Sequence, residues 1–426
     1  MTLSTRPRPD VAPAPTPAPR LPRAVAGALI AAGAGLLFVV ARDGSVPWPI
    51  VRSASVAGLL AGLFLLLRQA SPVRQGALEA SAGLLFLAVG IGIGPPHLAK
   101  AGVHPLTVAG LLALAGGLVL LIAGGATLVR AGRRWRRPFV VLAEVLLAGL
   151  AALTLGQAVA ATNVPRTDVG ATTPADRGLT YRDVEFQTGD GLRLSGWYVP
   201  SEAGAAVVLL HGAGSTRSAV LDHAVVLGRA GYGVLLFDAR GHGRSAGRAM
   251  DFGWYGDADI AAAVTFLQAQ PDVDAERIAA VGMSMGGEEA IGAAAGDSRI
   301  KAVVAEGATN RVAGDKAWLS DEYGLRGALQ EGVERLVYGA ADLLTAASPP
   351  VTLHDAVAAS APRPVLLIAG GAMADEANAG RYIQSGSPTT VELREVAGAD
   401  HTDGLRTDPA GWEQLVTSFL DGALRR

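Results

Sequence analysis

The spacing of apolar and polar positions changes character once along the chain. Up to residue 161 the apolar positions come in long runs, at 24–41, 46–67, 76–94, 106–129 and 139–161. Each approaches the roughly 20 residues that a helix needs to cross a bilayer, so five transmembrane helices are predicted. The second run contains Arg52, which must reach back to the interface to keep its charge in water, and it starts among Pro47 and Pro49. Ahead of the first run, residues 1–23 are rich in Pro, Ala and Arg and cannot bury enough apolar surface to repay ordering, which predicts a disordered tail. A cleaved signal peptide is the alternative for the first run, but its leading segment is long and four more runs follow.

Residues 162–177 carry Pro, Thr, Asp and Arg without periodicity and read as a linker. From 178 onward the apolar runs are short. Residues 181–187 and 192–199 are predicted strands joined at Gly189-Asp190-Gly191, a hairpin signal. Runs at 206–210 and 234–237 are apolar at nearly every position, as strands buried on both faces must be. Helical patterns at 218–230, 257–268, 285–295, 376–384 and 410–423 then alternate with strands at 277–281, 300–305, 365–368 and 390–396. That alternation predicts a parallel sheet covered by helices on both faces. The rhythm breaks between 307 and 362, a stretch too long for an ordinary loop, which predicts a helical cap. In it Trp318, Leu319, Tyr323, Leu325, Leu329, Leu336 and Tyr338 recur at loosely helical spacing and are expected to pack the cap onto the domain.

Composition sharpens the division. Half of the residues are hydrophobic and only 17% are charged, too apolar for an ordinary soluble chain of this length. A net charge of −2 argues against a nucleic-acid surface, and the absence of cysteine excludes disulfides, thiolate metal sites and a cysteine nucleophile. Within the apolar runs Glu79 and Glu144 lie near helix starts and the centres hold Gly, Ala, Leu and Val, so an anchor is expected rather than a transport path. Arginines set the expected orientation. Arg6, Arg8, Arg20, Arg23, Arg68, Arg74, Arg130, Arg133, Arg134, Arg136 and Arg137 fall on one side of a five-span arrangement, against Arg42, Arg52 and Lys100 on the other. The positive side is cytoplasmic, which puts the N-terminus inside and residues 178–426 outside.

The candidate chemistry centres on Gly282-Met283-Ser284-Met285-Gly286, between a strand and a small-residue helix. A serine at such a corner sits in strained backbone with its hydroxyl outward, and the Met285 N–H at the helix start can bind an oxygen that becomes negative in acyl transfer. Its hydroxyl needs an imidazole to take the proton and a carboxylate to fix that imidazole. His401 follows the last strand and precedes the last helix, and is the expected base. His211, opening His211-Gly212-Ala213-Gly214, is expected to be a packed loop residue, with the Ala213 N–H as second oxyanion donor. His242 is expected to have no chemical role, and Asp238 to shape a turn.

These four stretches, His211 to Gly214, Asp238 to Ser245, Gly282 to Gly287 and Gly398 to His401, resemble the α/β-hydrolase fold over about residues 178–426. The resemblance implies Ser284 as nucleophile, His401 as base, Ala213 and Met285 as donors, a serine-hydrolase reaction, and no cofactor or metal. The chain departs from the family in its acid. The carboxylate usually stands three residues after a glycine closing the penultimate strand, whereas here the first one after Gly370-Gly371-Ala372-Met373 is Asp375. Asp375 is the expected acid, with Glu376 a near competitor and Glu306 the alternative from the preceding strand. Asp400 is expected to face solvent.

The chain is thus expected to join a transmembrane bundle to a capped α/β-hydrolase domain and to cleave a small-molecule or lipid-like ester beside membrane lipid. Acyl transfer to an alcohol would use the same groups. A transporter or sensor whose hydrolase-like domain only binds ligand is the alternative from another class.

Overall fold

The computed structural model describes residues 71–424 and scattered positions between 54 and 62. The expected tail, the first predicted span and most of the second lie outside the described residues. The other three appear as helices long and apolar enough to cross a membrane: α1 (Pro72–Ala101), α2 (Pro105–Ala131) and α3 (Arg134–Thr162). Helices α1 and α2 run antiparallel at backbone contact. A Cβ added at Gly90 would lie 2.4 Å from Leu114 Cα, and one at Gly117 would lie 2.5 Å from Leu87 N, so only glycine permits this approach. Helix α3 contains one π turn, Ala152–Gly156, near its C-terminal end.

The remaining chain forms an eight-stranded sheet from β1 (Arg182–Gln187), β2 (Arg193–Val199), β3 (Ala206–Leu210), β4 (Gly233–Phe237), β5 (Ile278–Met283), β6 (Ile300–Glu306), β7 (Val365–Gly370) and β8 (Val391–Val396). Their order is β1-β2-β4-β3-β5-β6-β7-β8; β2 pairs antiparallel with both β1 and β4, and every other pair is parallel. Each predicted strand is present, with ends shifted by at most two residues.

Helices cover both faces. On one, α4 (Leu221–Arg229) and α12 (Pro409–Leu424) bury Leu227, Trp412, Val416 and Leu420 against Val207, Leu209, Val281 and Val304. On the other, α5 (Gly256–Gln268), α6 (Met285–Gly296), α9 (Leu353–Ser360) and α10 (Ala374–Ser385) bury Ile260, Ile291, Val357 and Ile383 against Val208, Ala280, Val303 and Leu367. The strand pairing Met283↔Glu306 and Gly370↔Val396 brings the C-terminal ends of β5, β6, β7 and β8 to one edge, where the loops carrying polar side chains begin.

The cap is smaller than the predicted 307–362. Helix α9 packs against α6 and completes the helical layer, leaving α7 (Leu319–Tyr323) and α8 (Leu325–Leu344) as the cap. Leu319 and Tyr338 are buried as expected, but Leu325, Leu329 and Leu336 are exposed. They do not pack the cap onto the domain, because Gly327, Glu331, Val337, Tyr338 and Ala341 already form the inward face of α8.

The C-terminal ends of α1 and α3 meet the sheet domain: Lys100 Nζ donates to Gly214 O at 3.3 Å, and Asp251 N–H donates to Ala161 O at 2.9 Å. His97 Nε2, 2.7 Å from Asn163 O, ties those two helix ends to each other.

Candidate active site

Strand β5 ends at Met283 and α6 begins at Met285, so Ser284 alone makes the turn between them. It adopts φ 54° and ψ −123°, a conformation that L residues rarely occupy. The corner closes because its neighbours have no side chains: a Cβ at Gly282 would lie 2.2 Å from the Gly286 carbonyl, and one at Gly286 would lie 2.7 Å from His211 O. Ser284 N–H donates to Glu306 O at 2.7 Å, which ties the corner to the end of β6.

From that corner Ser284 Oγ meets His401 Nε2 at 2.9 Å, and His401 Nδ1 meets Glu376 Oε1 at 2.5 Å. Glu376 is almost wholly buried, and its other oxygen accepts the Gly370 N–H at 2.8 Å, while nearly half of the His401 side chain is exposed. The hydrogen bond to Glu376, more than its charge, raises the His401 pKa above the ordinary imidazole value. This partnership assigns the proton on the neutral ring to Nδ1 and leaves Nε2 as acceptor for the serine hydroxyl. Under the ring, Gly307 at φ 68° keeps the chain clear; a Cβ there would fall 2.9 Å from His401 Cε1.

Two sequence expectations for the acid are corrected. Asp375 does not reach His401: its Oδ1 accepts from Tyr323 OH at 2.5 Å on the cap side. Successive helical residues point roughly 100° apart. In the first turn of α10, therefore, Glu376 faces the sheet together with Ala379, Gly380 and Ile383, whereas Asp375 faces outward. Glu306 does not meet His401 either. Its oxygens accept from Gly404 N–H and Trp412 Nε1, both at 2.8 Å, and burial raises its pKa. It therefore anchors α11 (Gly404–Thr407), which follows the His401 loop, to α12. Asp400 is exposed.

The oxyanion candidates flank the serine. Gly287 and Glu288 are the first residues of α6 whose N–H groups bond back, both to Ser284 O, so among the described residues the Met285 N–H has no helical acceptor. Gly212 packs on the serine closely enough that a Cβ there would lie 3.3 Å from Ser284 Cβ, and Ala213 follows it, exposed. The loop is held from beneath by His211. Ala239 N–H donates to its Nε2 at 3.0 Å, so the ring proton is on Nδ1, 2.8 Å from Gly212 O; burial drives its pKa down to about 4. From the other side Lys100 Nζ and Thr167 Oγ1 both donate to Gly214 O, at 3.3 and 3.0 Å. Beside them burial pushes the Asp251 carboxyl up to about 6. His242 stacks edge-on against His211 with a ring separation of 5.1 Å, and burial lowers it to about 3. Asp238 accepts from the Arg217 and Arg244 backbone N–H groups at 3.0 and 2.9 Å and shapes the turn, as expected.

The family model described as serine aminopeptidase, S33, matches residues 201–327, which include the Ala213 loop and the Ser284 corner. The C-terminal part of the chain is α/β-hydrolase-like. The candidate acid and base, Glu376 and His401, fall beyond the matched residues but follow the candidate serine in the order serine, acid, histidine. A 116-residue stretch of the chain is 44% identical to an uncharacterized protein of Mycobacterium tuberculosis, covering 26% of this chain and 41% of that one. A thiohydrolase of Aspergillus aculeatus is 41% identical over 129 residues, 29% of this chain and 41% of that one. A polyketide transferase of Stachybotrys chlorohalonatus is 38% identical over 136 residues, 30% of this chain and 44% of that one. The chain thus spans about two fifths of the length of these relatives. Among solved structures, an esterase of Pyrococcus furiosus aligns with 62% of this chain and 98% of its own at 28% identity and a TM-score of 0.49.

Proposed function

We propose that the protein is a membrane-anchored serine hydrolase that cleaves an ester or related acyl bond through an acyl-enzyme. The observation that carries this reading is the continuous path from Ser284 Oγ through His401 to Glu376, at 2.9 and 2.5 Å. Ser284 Oγ attacks the acyl carbon as its proton passes to His401 Nε2, and the carbonyl oxygen becomes an anion held by the N–H groups of Ala213 and Met285. The C–O or C–S bond to the leaving group then breaks, and His401 returns the proton to it. Water repeats the sequence on the acyl-enzyme, giving the carboxylic acid and restoring the serine. Every proton and electron pair is accounted for among substrate, water and these side chains. The helices α1 to α3 support the anchor by length and apolarity.

Acyl transfer to an alcohol is the second reading, supported by the similarity to a fungal polyketide transferase, whereas the similarity to a fungal thiohydrolase supports hydrolysis. Added alcohol would then be consumed into a new ester in preference to water.

The test is fluorophosphonate labelling of purified protein. The native chain should take the label and Ser284→Ala should not, and the variant should lose turnover of a short-chain aryl ester at an unchanged melting temperature. A native chain that takes no label and turns over no ester would overturn the reading in favour of a domain that only binds ligand.

A further inference from the structure

Helix α8 has two unlike sides. Toward the domain it buries Tyr338 and Ala341, which share a cluster with Met250, Trp254 and Ala158 of α3. On the opposite side Leu325, Leu329, Leu336 and Leu343 are 78, 65, 54 and 57% exposed. At roughly 100° per residue these four leucines fall within about 40° of one another, so they make one apolar stripe along the helix. Gly332 and Gly339 lie on the same side with open space where a Cβ would stand. Exposed Arg326 and Arg335 flank the stripe, one on each side.

The setting says what covers it. Helix α8 packs against both Ala152–Gly156 and Gln157–Thr162, the last turns of α3. Just below that contact α3 itself leaves Leu146, Leu147 and Leu150 exposed, and within the contacting turns Leu153 is exposed as well. The stripe therefore continues sideways the apolar surface of a helix able to cross a bilayer. Depth agrees. About 20 residues cross the hydrocarbon layer, and Arg134, Arg136 and Arg137 hold the start of α3 at one interface, so the opposite interface falls near Gln157, the level at which α8 packs.

From this continuity we infer that the leucine face of α8 is a lipid-contact surface, lying along the boundary between headgroups and acyl chains of the leaflet nearest the hydrolase domain. Arg326 and Arg335 sit where lipid phosphates would meet them, the arrangement of an interfacial helix. The inference rests on the proposed embedding of α1 to α3 in a membrane. It bears on the reaction because the inner face of the same helix reaches the nucleophile helix: Tyr338 OH bonds Asn310 Nδ2, and Asn310 N–H donates to Glu288 Oε1 at 2.9 Å. A cap seated in this way favours esters whose acyl chains are dissolved in the bilayer.

The cysteine-free chain allows a direct test by nitroxide labelling in lipid nanodiscs holding one protein each. Single cysteines replace Leu329 and Leu336 on the stripe, Leu147 on α3 as a lipid reference, and Asp222 on α4 as a water reference. The stripe sites should match Leu147→Cys, with frequent oxygen collisions and a loss of collisions with a water-soluble nickel chelate. Chelate collisions as frequent as at Asp222→Cys would overturn the inference. So would exclusion of both reagents, which would mean that protein covers the stripe, either residues 24–67 or another segment. Chelate access at Leu147→Cys would instead defeat the membrane reading on which this one rests. The measurement needs no turnover, so failure of the hydrolase reading leaves it standing. Leu325→Cys and Leu343→Cys read the same stripe should either labelled variant not assemble.

Discussion

At the scale of single residues the site turns on which of two adjacent carboxylates holds His401. Glu376→Gln should lower kcat by roughly 10⁴, the effect of leaving a triad histidine in the wrong tautomer. Asp375→Asn should leave kcat within about threefold, since an exposed side chain that accepts from Tyr323 OH lies off the proton path. Steady-state kinetics decides, and the reverse ranking would return the acid to Asp375. The pH profile gives a second reading of the same pair. His401 must be neutral to accept the serine proton, and Glu376 favours its charged form. The acid limb of kcat/KM should therefore have its midpoint above the ordinary imidazole value of about 6.5. In Glu376→Gln, residual activity should persist to lower pH, because the protonated ring has lost its partner. The distinction was legible in the sequence: Glu376 is in phase with Ala379, Gly380 and Ile383, whereas Asp375 is in phase with Asn378 and Tyr382. Counting residues from the end of the strand ignored the helix phase that decides which carboxylate points inward.

At the scale of elements, the support of the His401 loop by Glu306 makes a separate prediction. Glutamine at 306 keeps one acceptor oxygen but presents an amide N–H₂ to either Gly404 N–H or Trp412 Nε1. Glu306→Gln should cost about 1–3 kcal/mol of stability in chemical denaturation, with a fall in kcat much smaller than that of Glu376→Gln. A kcat loss as large as that of Glu376→Gln at unchanged stability would give Glu306 a direct part in the proton path. Periodicity located every strand, and the helices α5, α6, α10 and α12, to within two residues, because burial on one or both faces writes itself into the apolar spacing. It did not show that 353–360 belongs to the helical layer, nor that Leu325, Leu329 and Leu336 face away from the domain. A helix that turns Gly327, Glu331, Val337, Tyr338 and Ala341 inward and its leucines outward departs from the usual rule, and only its neighbours reveal it.

At the scale of the whole molecule the bundle has a direction. The C-terminal ends of α1 and α3 meet the hydrolase-like domain through Lys100, Ala161 and Thr162, while the arginines between α2 and α3 stand at the far end. If those arginines lie in the cytoplasm, as their charge favours, Ser284 is outside. A membrane-impermeant fluorophosphonate should then label intact cells once any outer envelope is opened. Labelling that appears only after the cell membrane is breached would reverse this topology.

The seam in the sequence at residue 162 is not a seam in the bonding. Arg248 Nη2 donates to Thr162 O at 2.8 Å, and Arg166 Nη1 donates to Gly243 O and Ser245 O at 3.0 and 2.7 Å. Ala158 is wholly buried among side chains that follow the linker. The peptide connection through 168–178 is therefore a tether, and not what keeps the two parts together. A protease site engineered at the exposed residues 170–172 and cut in mild detergent should leave two fragments that still co-elute and still hydrolyse ester at the uncut rate. Separation of the fragments would show that the linker, after all, carries the attachment.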